Sequence, residues 1–333
     1  MKKIEVAVVC LALATVYPAF PVGAVTKSRG VEAKTLATQV LLDRLGFGPG
    51  VIDGHAGGSL AKAIKGFQDA YGLPQSGKLD PATRKALAAY STTPGTIEVT
   101  LTQADLAGPF VGPIPTDPAE QAKLPAMAYS DAMEELAERY HTTRPTLIAL
   151  NGAMPLTVGA KIKVPNVRPA ATDYPAALRP DWKATLMQLS VSSDQPQAAR
   201  IVVDKSDSVL RVYDNQDKLV AQFPATMGSE HDPLPIGNWK IQGTSYLPSF
   251  HYNPDLFWDA KPGDTKETLK PGPNGPVGVV WMDLDKEHYG IHGTSTPETI
   301  GRTSSHGCIR LTNWDAARLS LMVKAGTPAV FQE

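Results

Sequence analysis

The C-terminal part of the chain, residues 199–333, carries the pattern that most constrains its fold. Runs in which β-branched residues alternate or cluster are separated by turn signals, which predicts a series of short strands. The predicted strands are 200–204, 209–213, 218–226, 238–244, 278–284, 289–292 and 327–332. Thr312 is placed to cap one late helix that runs to Ala325, with Asp315 at the capping-box position. We therefore expect a mostly β domain with one late helix.

Residues 31–90 follow a helical period instead. Apolar side chains recur at the spacing of one helical face at Leu60, Ile64, Phe67 and Tyr71. Gly72 then ends that helix, and Asp80 followed by Pro81 supplies an N-cap and a first helical residue. We expect a small bundle of three short helices with one small core.

The segments between these two parts are less regular. Residues 91–126 are rich in Pro, Thr and Gly and are predicted to be a connector, with one strand-like run at 96–102. Residues 127–167 are predicted to form a small module in the order helix, helix, strand. Residues 168–198, rich in Pro and Ala, are predicted to be a linker. The whole chain is thus expected to be multidomain.

The first 24 residues are predicted to be a signal peptide. Lys2 and Lys3 precede an apolar run at 6–16, and small residues at 22–24 suit cleavage. The apolar run is shorter than the roughly 20 residues that span a bilayer, although a retained anchor is the alternative. We therefore expect an exported protein of the periplasm or cell envelope. The net charge of −1 offers no basic excess for nucleic acid.

The chain has two cysteines, and only one would remain after export. Cys10 lies in the predicted signal peptide, whereas Cys308 lies in the segment Ser-Ser-His-Gly-Cys-Ile-Arg-Leu at 304–311. An odd cysteine in an exported protein suggests a reactive thiol or an intermolecular bond. A buried, inert cysteine is the alternative.

The residues around Cys308 favour a reactive thiol. An imidazole can take the thiol proton, and His292 and His306 are both candidates. Gly307 lets a substrate approach the backbone closely, so that amides at 307 and 308 can donate to a developing oxyanion. Arg310 can pair with a substrate carboxylate.

The C-terminal domain resembles the L,D-transpeptidase catalytic domain (YkuD family). The resemblance rests on His292-Gly293-Thr294, on the segment 304–311 and on the flanking runs 271–278 and 300–301. It implies that Cys308 is the nucleophile and His292 the general base and acid, with the imidazole oriented by the Gly293 carbonyl.

The same resemblance implies a pocket and a lid. Ser305, His306 and Gly307 would shape the oxyanion site and donor pocket, together with Arg310. The segment 246–270 would form a lid over the substrate channel. Its candidate residues are Tyr246, Tyr252 and Trp258.

The implied reaction is acyl transfer on peptidoglycan stem peptides. The thiol would attack the third residue of a tetrapeptide donor, D-alanine would leave, and an amine would resolve the thioester. A second stem as acceptor would give a 3→3 cross-link, and a lipoprotein or outer-membrane protein would become anchored to the wall. Water as acceptor would make the protein an L,D-carboxypeptidase.

Two further resemblances concern the N-terminal half. Residues 31–90 resemble the peptidoglycan-binding type 1 domain, through Leu45-Gly46-Phe47, Ile52-Asp53-Gly54 and the run 63–68. Residues 127–167 resemble a degenerate LysM module, a family that binds glycans, although a structural spacer is the alternative. Peptidoglycan stem peptides and glycan strands are thus the expected partners.

Two other classes compete with this interpretation. A zinc site could use His292, His306 and Cys308, but no Cys-x-x-Cys or His-Glu-x-x-His pattern accompanies them. A non-catalytic peptidoglycan-binding envelope protein is the second alternative. We expect neither a metal nor a cofactor.

Overall fold

The N-terminal unit contains three helices, as predicted. The computed structural model describes residues 30–256, 260–305 and 307–333, so the predicted signal peptide lies outside the described residues. The helices are α1 (Ala33–Arg44), α2 (Gly58–Ala70) and α3 (Pro81–Ala88). Asp80 caps α3 by accepting a hydrogen bond from the amide of Thr83. Leu42, Phe47, Ile64 and Phe67 form the buried core of this unit.

A two-stranded antiparallel sheet joins the predicted connector to the module that follows it. The elements are β1 (Thr96–Thr100), α4 (Pro118–Lys123), α5 (Ala132–Arg139), α6 (Arg144–Asn151) and β2 (Lys161–Pro165). β1 pairs with β2 from Thr96 opposite Pro165 to Thr100 opposite Lys161. The strand-like run of the connector therefore belongs to the same small α+β unit as α5 and α6, which we call the middle unit (96–165).

The predicted linker 168–198 contains a helix that completes the largest core. Helix α7 spans Pro180–Gln188. Its Trp182 and Leu186 are fully buried in the main hydrophobic cluster, together with Ile201 and Phe223 of the strands that follow. The expectation of a plain linker is corrected here, because the segment packs on the strands that follow it instead of spanning open solvent.

The C-terminal part is mostly β, which confirms the predicted fold class. Its elements are β3 (Arg200–Asp204), β4 (Val209–Tyr213), β5 (Leu219–Pro224), β6 (Thr226–Met227), β7 (Gly237–Tyr246), β8 (Phe250–Tyr252), β9 (Glu267–Leu269), β10 (Val280–Leu284), β11 (Gly290–His292), β12 (Ile309–Arg310), α8 (Asn313–Met322) and β13 (Pro328–Gln332). Within the described ranges, nine strands form one sheet in the order β5-β4-β3-β13-β7-β10-β11-β12-β6. β8 and β9 form a separate hairpin beside it.

The N-terminal unit covers one edge of this sheet. The amide of Gly48 donates to the carbonyl of Gln222 on β5 at 2.8 Å, and the amide of Gln222 donates to the carbonyl of Gly46 at 2.9 Å. These bonds occupy backbone groups that an edge strand would otherwise expose. The helical unit is thus docked on the sheet.

No helix among the described residues is both long enough and apolar enough to cross a bilayer.

Candidate active site

Two neighbouring strands place His292 and Cys308 on the same face of the sheet. β11 and β12 pair in parallel, with Ile291 opposite Ile309 and His292 opposite Arg310. Cys308 comes directly before β12. Because side chains alternate along a strand, Cys308 shares a face with Arg310 and therefore with His292, while the two isoleucines face the main core.

Trp281 supports the imidazole from the next strand. It lies opposite His292 in the β10–β11 pair. The two rings stack with centroids 5.3 Å apart and planes 21° from parallel. Cys308 belongs to the same buried cluster as Trp281. A Cβ on Gly290 would lie 2.3 Å from the Trp281 ring, so only glycine leaves room for the indole there.

The hydrogen bonds of His292 fix its tautomer. Nδ1 lies 2.7 Å from the carbonyl oxygen of Gly293, which can only accept, so Nδ1 carries the proton. Nε2 is buried and has no hydrogen-bond partner among the described residues. Burial, helped by the positive charge of Arg310, lowers the pKa of His292 to about 3. The ring is therefore neutral near pH 7 and presents a free lone pair on Nε2.

The segment that carries Cys308 is held by Ser305. Its hydroxyl donates to the carbonyl oxygen of Cys308 at 2.6 Å, and its amide donates to the carbonyl of Gly228 at 3.1 Å. Both groups of Ser305 thus shape the segment. Cys308 is 3% exposed, and its Sγ lies 3.8 Å from the carbonyl oxygen of His288.

Gly307 has a backbone conformation that suits glycine. Its φ is +103°, and a Cβ there would lie 2.6 Å from the ring of Tyr289. The backbone beside Cys308 is thereby held against an aromatic ring. His306, the other candidate of this segment, lies outside the described residues.

The three candidate lid residues have different surroundings. Tyr246 ends β7 and stacks on Trp182 at 4.7 Å, so it packs against the main core and not over the site. Tyr252 lies on β8, and its hydroxyl donates to Asp264 at 2.5 Å. Trp258 lies outside the described residues.

The β8–β9 hairpin faces the middle unit across a cavity of about 380 Å³. The lining includes Ile114, Gln121, Phe250, Tyr252 and Thr296. The amino group of Lys270 donates to the carbonyl of Leu124 at 2.7 Å, which ties the two sides together. A substrate channel on this side would therefore have walls from two units of the chain.

One group that the sequence analysis missed is Asn313, the first residue of α8. It is fully buried, and a Cβ on Gly293 would lie only 2.1 Å from its Oδ1. A lone Asn after the N-cap Thr312 has no functional pattern of its own, so the sequence gives no signal for this contact.

Two parts of the chain match known protein families. Residues 198–331 match the family model of the L,D-transpeptidase catalytic domain, YkuD. Residues 33–87 match that of a "Putative peptidoglycan binding domain". These two matches do not confirm the LysM resemblance of the middle unit.

The chain is also similar in sequence to named L,D-transpeptidases. The "Putative L,D-transpeptidase YkuD" of Bacillus licheniformis is 29% identical over 202 residues, covering 59% of this chain and 91% of that protein. Its namesake in Bacillus subtilis is 51% identical over 55 residues, which span only 34% of that protein.

Among solved structures, the catalytic domain of an L,D-transpeptidase from E. faecium acylated by ertapenem is 22% identical. The match covers 42% of this chain and all of that one, with a TM-score of 0.32. The two family matches and the named relatives decide the assignment. The chain contains an L,D-transpeptidase catalytic domain of the YkuD family, preceded by a peptidoglycan-binding domain.

Proposed function

We propose that this protein transfers acyl groups between peptidoglycan stem peptides through a thioester on Cys308. The observation that carries the proposal is the state of His292. Its Nδ1 is committed to the Gly293 carbonyl, and its buried Nε2 carries a lone pair. It stands on the sheet face that Cys308 shares. A neutral imidazole beside a thiol is the arrangement that general-base activation of a nucleophile requires.

The first half-reaction forms the thioester. As Cys308 Sγ bonds to the carbonyl carbon of the third stem residue, its proton passes to Nε2 of His292. The amides of Gly307 and Cys308 are the proposed donors to the oxyanion. The bond to the terminal D-alanine then breaks, and the imidazolium returns the proton to the leaving amine. The Gly293 carbonyl stabilises the imidazolium while it lasts.

The second half-reaction releases the acyl group. An acceptor amine attacks the thioester carbonyl, His292 takes a proton from the amine, and the sulfur leaves and recovers that proton. An amine of another stem gives a 3→3 cross-link, an amine of a lipoprotein or outer-membrane protein gives an anchored protein, and water gives a carboxypeptidase product. Arg310 is the proposed partner of a substrate carboxylate, and Tyr252 with the hairpin β8–β9 the proposed wall of the channel.

The N-terminal half directs this chemistry to the wall. The domain at 33–87 would hold peptidoglycan, in the periplasm or cell envelope after export. The middle unit is proposed to be LysM-like. In support, its two strands pair antiparallel with α5 and α6 between them in sequence, and the helices pack their apolar residues on Ile162 and Val164 of β2.

The test is incubation with a defined disaccharide tetrapeptide followed by mass spectrometry. The proposal expects an adduct on Cys308 and free D-alanine, both absent from Cys308→Ala. Wild-type protein that is folded and binds sacculi yet forms no adduct would support a non-catalytic envelope protein instead. Adding stem peptides, protein amines or neither then identifies the acceptor.

A further inference from the structure

We infer that Glu138, which lies outside the catalytic domain on α5, is a positioning residue for His292 and acts through Asn313 and Gly293. The inference rests on the proposed role of His292 as the base. It assigns to the middle unit a part in the reaction besides any contact with glycan.

The first step is the fixed orientation of the Asn313 amide. Its Oδ1 accepts a hydrogen bond from the amide of Val279 at 3.1 Å. Its Nδ2 donates to the carbonyl of Pro273 at 3.1 Å and to Oε1 of Glu138 at 2.9 Å. Because Asn313 is fully buried, water cannot replace any of these partners without opening the structure.

The second step is the contact between Asn313 and the backbone that orients His292. Added Cβ atoms on Gly293 and Gly278 would lie 2.1 and 2.0 Å from Asn313 Oδ1. The side-chain amide is therefore wedged between these two glycines. The carbonyl of the same Gly293 accepts the Nδ1–H of His292. A rotation of the Asn313 amide would move the peptide that sets the direction of Nε2.

The third step is the state of Glu138. Its side chain is buried, and Oε2 shares a hydrogen bond of 2.6 Å with the hydroxyl of Tyr129. Burial raises the pKa of Glu138 to about 8, against the effect of the bonds from Tyr129 and Asn313. Near pH 7 the group is mainly a neutral carboxylic acid. It thus offers an acceptor oxygen to Asn313 without adding a buried charge near the site.

These contacts distinguish Glu138 from the other buried glutamate of α5. Glu135 is equally buried, but it binds Arg139 and reaches no residue of the catalytic domain in the described hydrogen bonds. Removing either buried carboxyl group costs folding energy. Only the removal of Glu138 should disturb the orientation of His292.

The experiment uses the full chain and measures the rate of Cys308 acylation by the tetrapeptide donor as its concentration is varied. Glu138→Gln keeps an acceptor oxygen for Asn313, whereas Glu138→Leu removes it. Glu135→Leu is the matched control. We expect Glu138→Leu to lower the limiting acylation rate by ~10- to 100-fold. The donor concentration that gives half of the limiting rate should be unchanged. Glu138→Gln should retain at least about half of the rate, and Glu135→Leu should acylate like the wild type.

Thermal unfolding and sacculus binding are measured on the same samples, so that acylation is compared only at temperatures where each variant is folded. If folded Glu138→Leu acylates like Glu135→Leu, the inference is overturned. If Glu138→Gln is as slow as Glu138→Leu, the hydrogen bond to Asn313 is not the cause, and the inference also fails. A wild-type protein that forms no adduct overturns instead the proposed function.

Discussion

Arg318 of α8 donates two hydrogen bonds to the carboxylate of Asp43 on α1, at 2.8 and 3.0 Å. Asp43 also lies 3.1 Å from Nδ1 of His141, which belongs to the middle unit. Burial alone would raise the pKa of Asp43, but the charges of Arg318 and His141 outweigh it and hold that pKa well below its usual range. One buried carboxylate thus binds groups from both other units of the chain.

Asp43→Asn should therefore weaken the whole chain and not the N-terminal unit alone. The substitution leaves the buried guanidinium of Arg318 with only the longer contact to Asp315, at 3.4 Å. We expect a loss of about 3–5 kcal/mol in the free energy of unfolding at neutral pH. Because the pKa of Asp43 is lowered, its contribution is present above ~3.9, the unfolded value, and is lost as pH falls below it. Denaturant titration at neutral pH measures the difference.

Asp131→Asn is the control for this prediction. Asp131 forms an exposed ion pair with Arg144 at 2.8 Å and caps α5. Asparagine can still cap, so the loss should stay below about 1 kcal/mol. Equal losses of unfolding free energy in the two variants would mean that the buried Asp43–Arg318 pair stabilises the chain no more than the exposed pair does.

Local patterns predicted most of the strands but none of these contacts. The strands at 200–204 and 209–213 were predicted to the residue, because alternation and turn signals are properties of neighbouring residues. β1 was placed in a connector because its partner, β2, lies more than 60 residues away. Trp182 was placed in a linker because only the folded sheet offers the surface that buries it.

The candidate site likewise contains residues that the sequence predicts and residues that only the fold brings together. Cys308 and His292 could be named from the sequence because their residue types and spacing form a motif. Glu138 could not, since its bond to Asn313 spans 175 positions and depends on how two units pack. Tyr246 was assigned to the lid by its position in the chain, whereas its stacking on Trp182 is a tertiary contact.

The low pKa of His292 predicts how Cys308 reacts with a simple alkylating agent. With the pKa of His292 lowered to about 3, the imidazole stays neutral and does not hold the thiol proton at rest. The rate of alkylation by iodoacetamide should then fall as the pH is lowered, because no imidazolium is present to hold the sulfur as a thiolate. Mass spectrometry of the Cys308 peptide gives the rate. A rate that stays constant down to about pH 5 would indicate a thiolate–imidazolium pair and contradict this expectation.

Gly307→Ala should impair acylation more than folding. The φ of +103° and the Cβ position 2.6 Å from Tyr289 force the segment beside Cys308 to move. We expect the acylation rate to fall by ~100-fold, with a stability cost of about 1–3 kcal/mol. Gly58→Ala, where nothing lies within 4 Å of the added Cβ, is the control and should leave acylation unchanged. Acylation of Gly307→Ala at the wild-type rate would exclude a role for this backbone geometry.

Glu138 also predicts how the stability of the chain depends on pH. Its pKa is raised to about 8 in the folded protein, against ~4.3 when unfolded, so the folded state holds a proton that the unfolded chain releases. This contribution is fully present below ~4.3 and is lost as pH rises through about 8. Glu138→Gln cannot titrate. Its stability relative to the wild type should therefore improve on going from about pH 5 to about pH 8, by on the order of a few kcal/mol.

Denaturant titrations at the two pH values measure this change, with Ser320→Ala, a buried substitution that does not titrate, as the control. A stability difference between Glu138→Gln and the wild type that is the same at both pH values would mean that Glu138 is ionised in the folded protein.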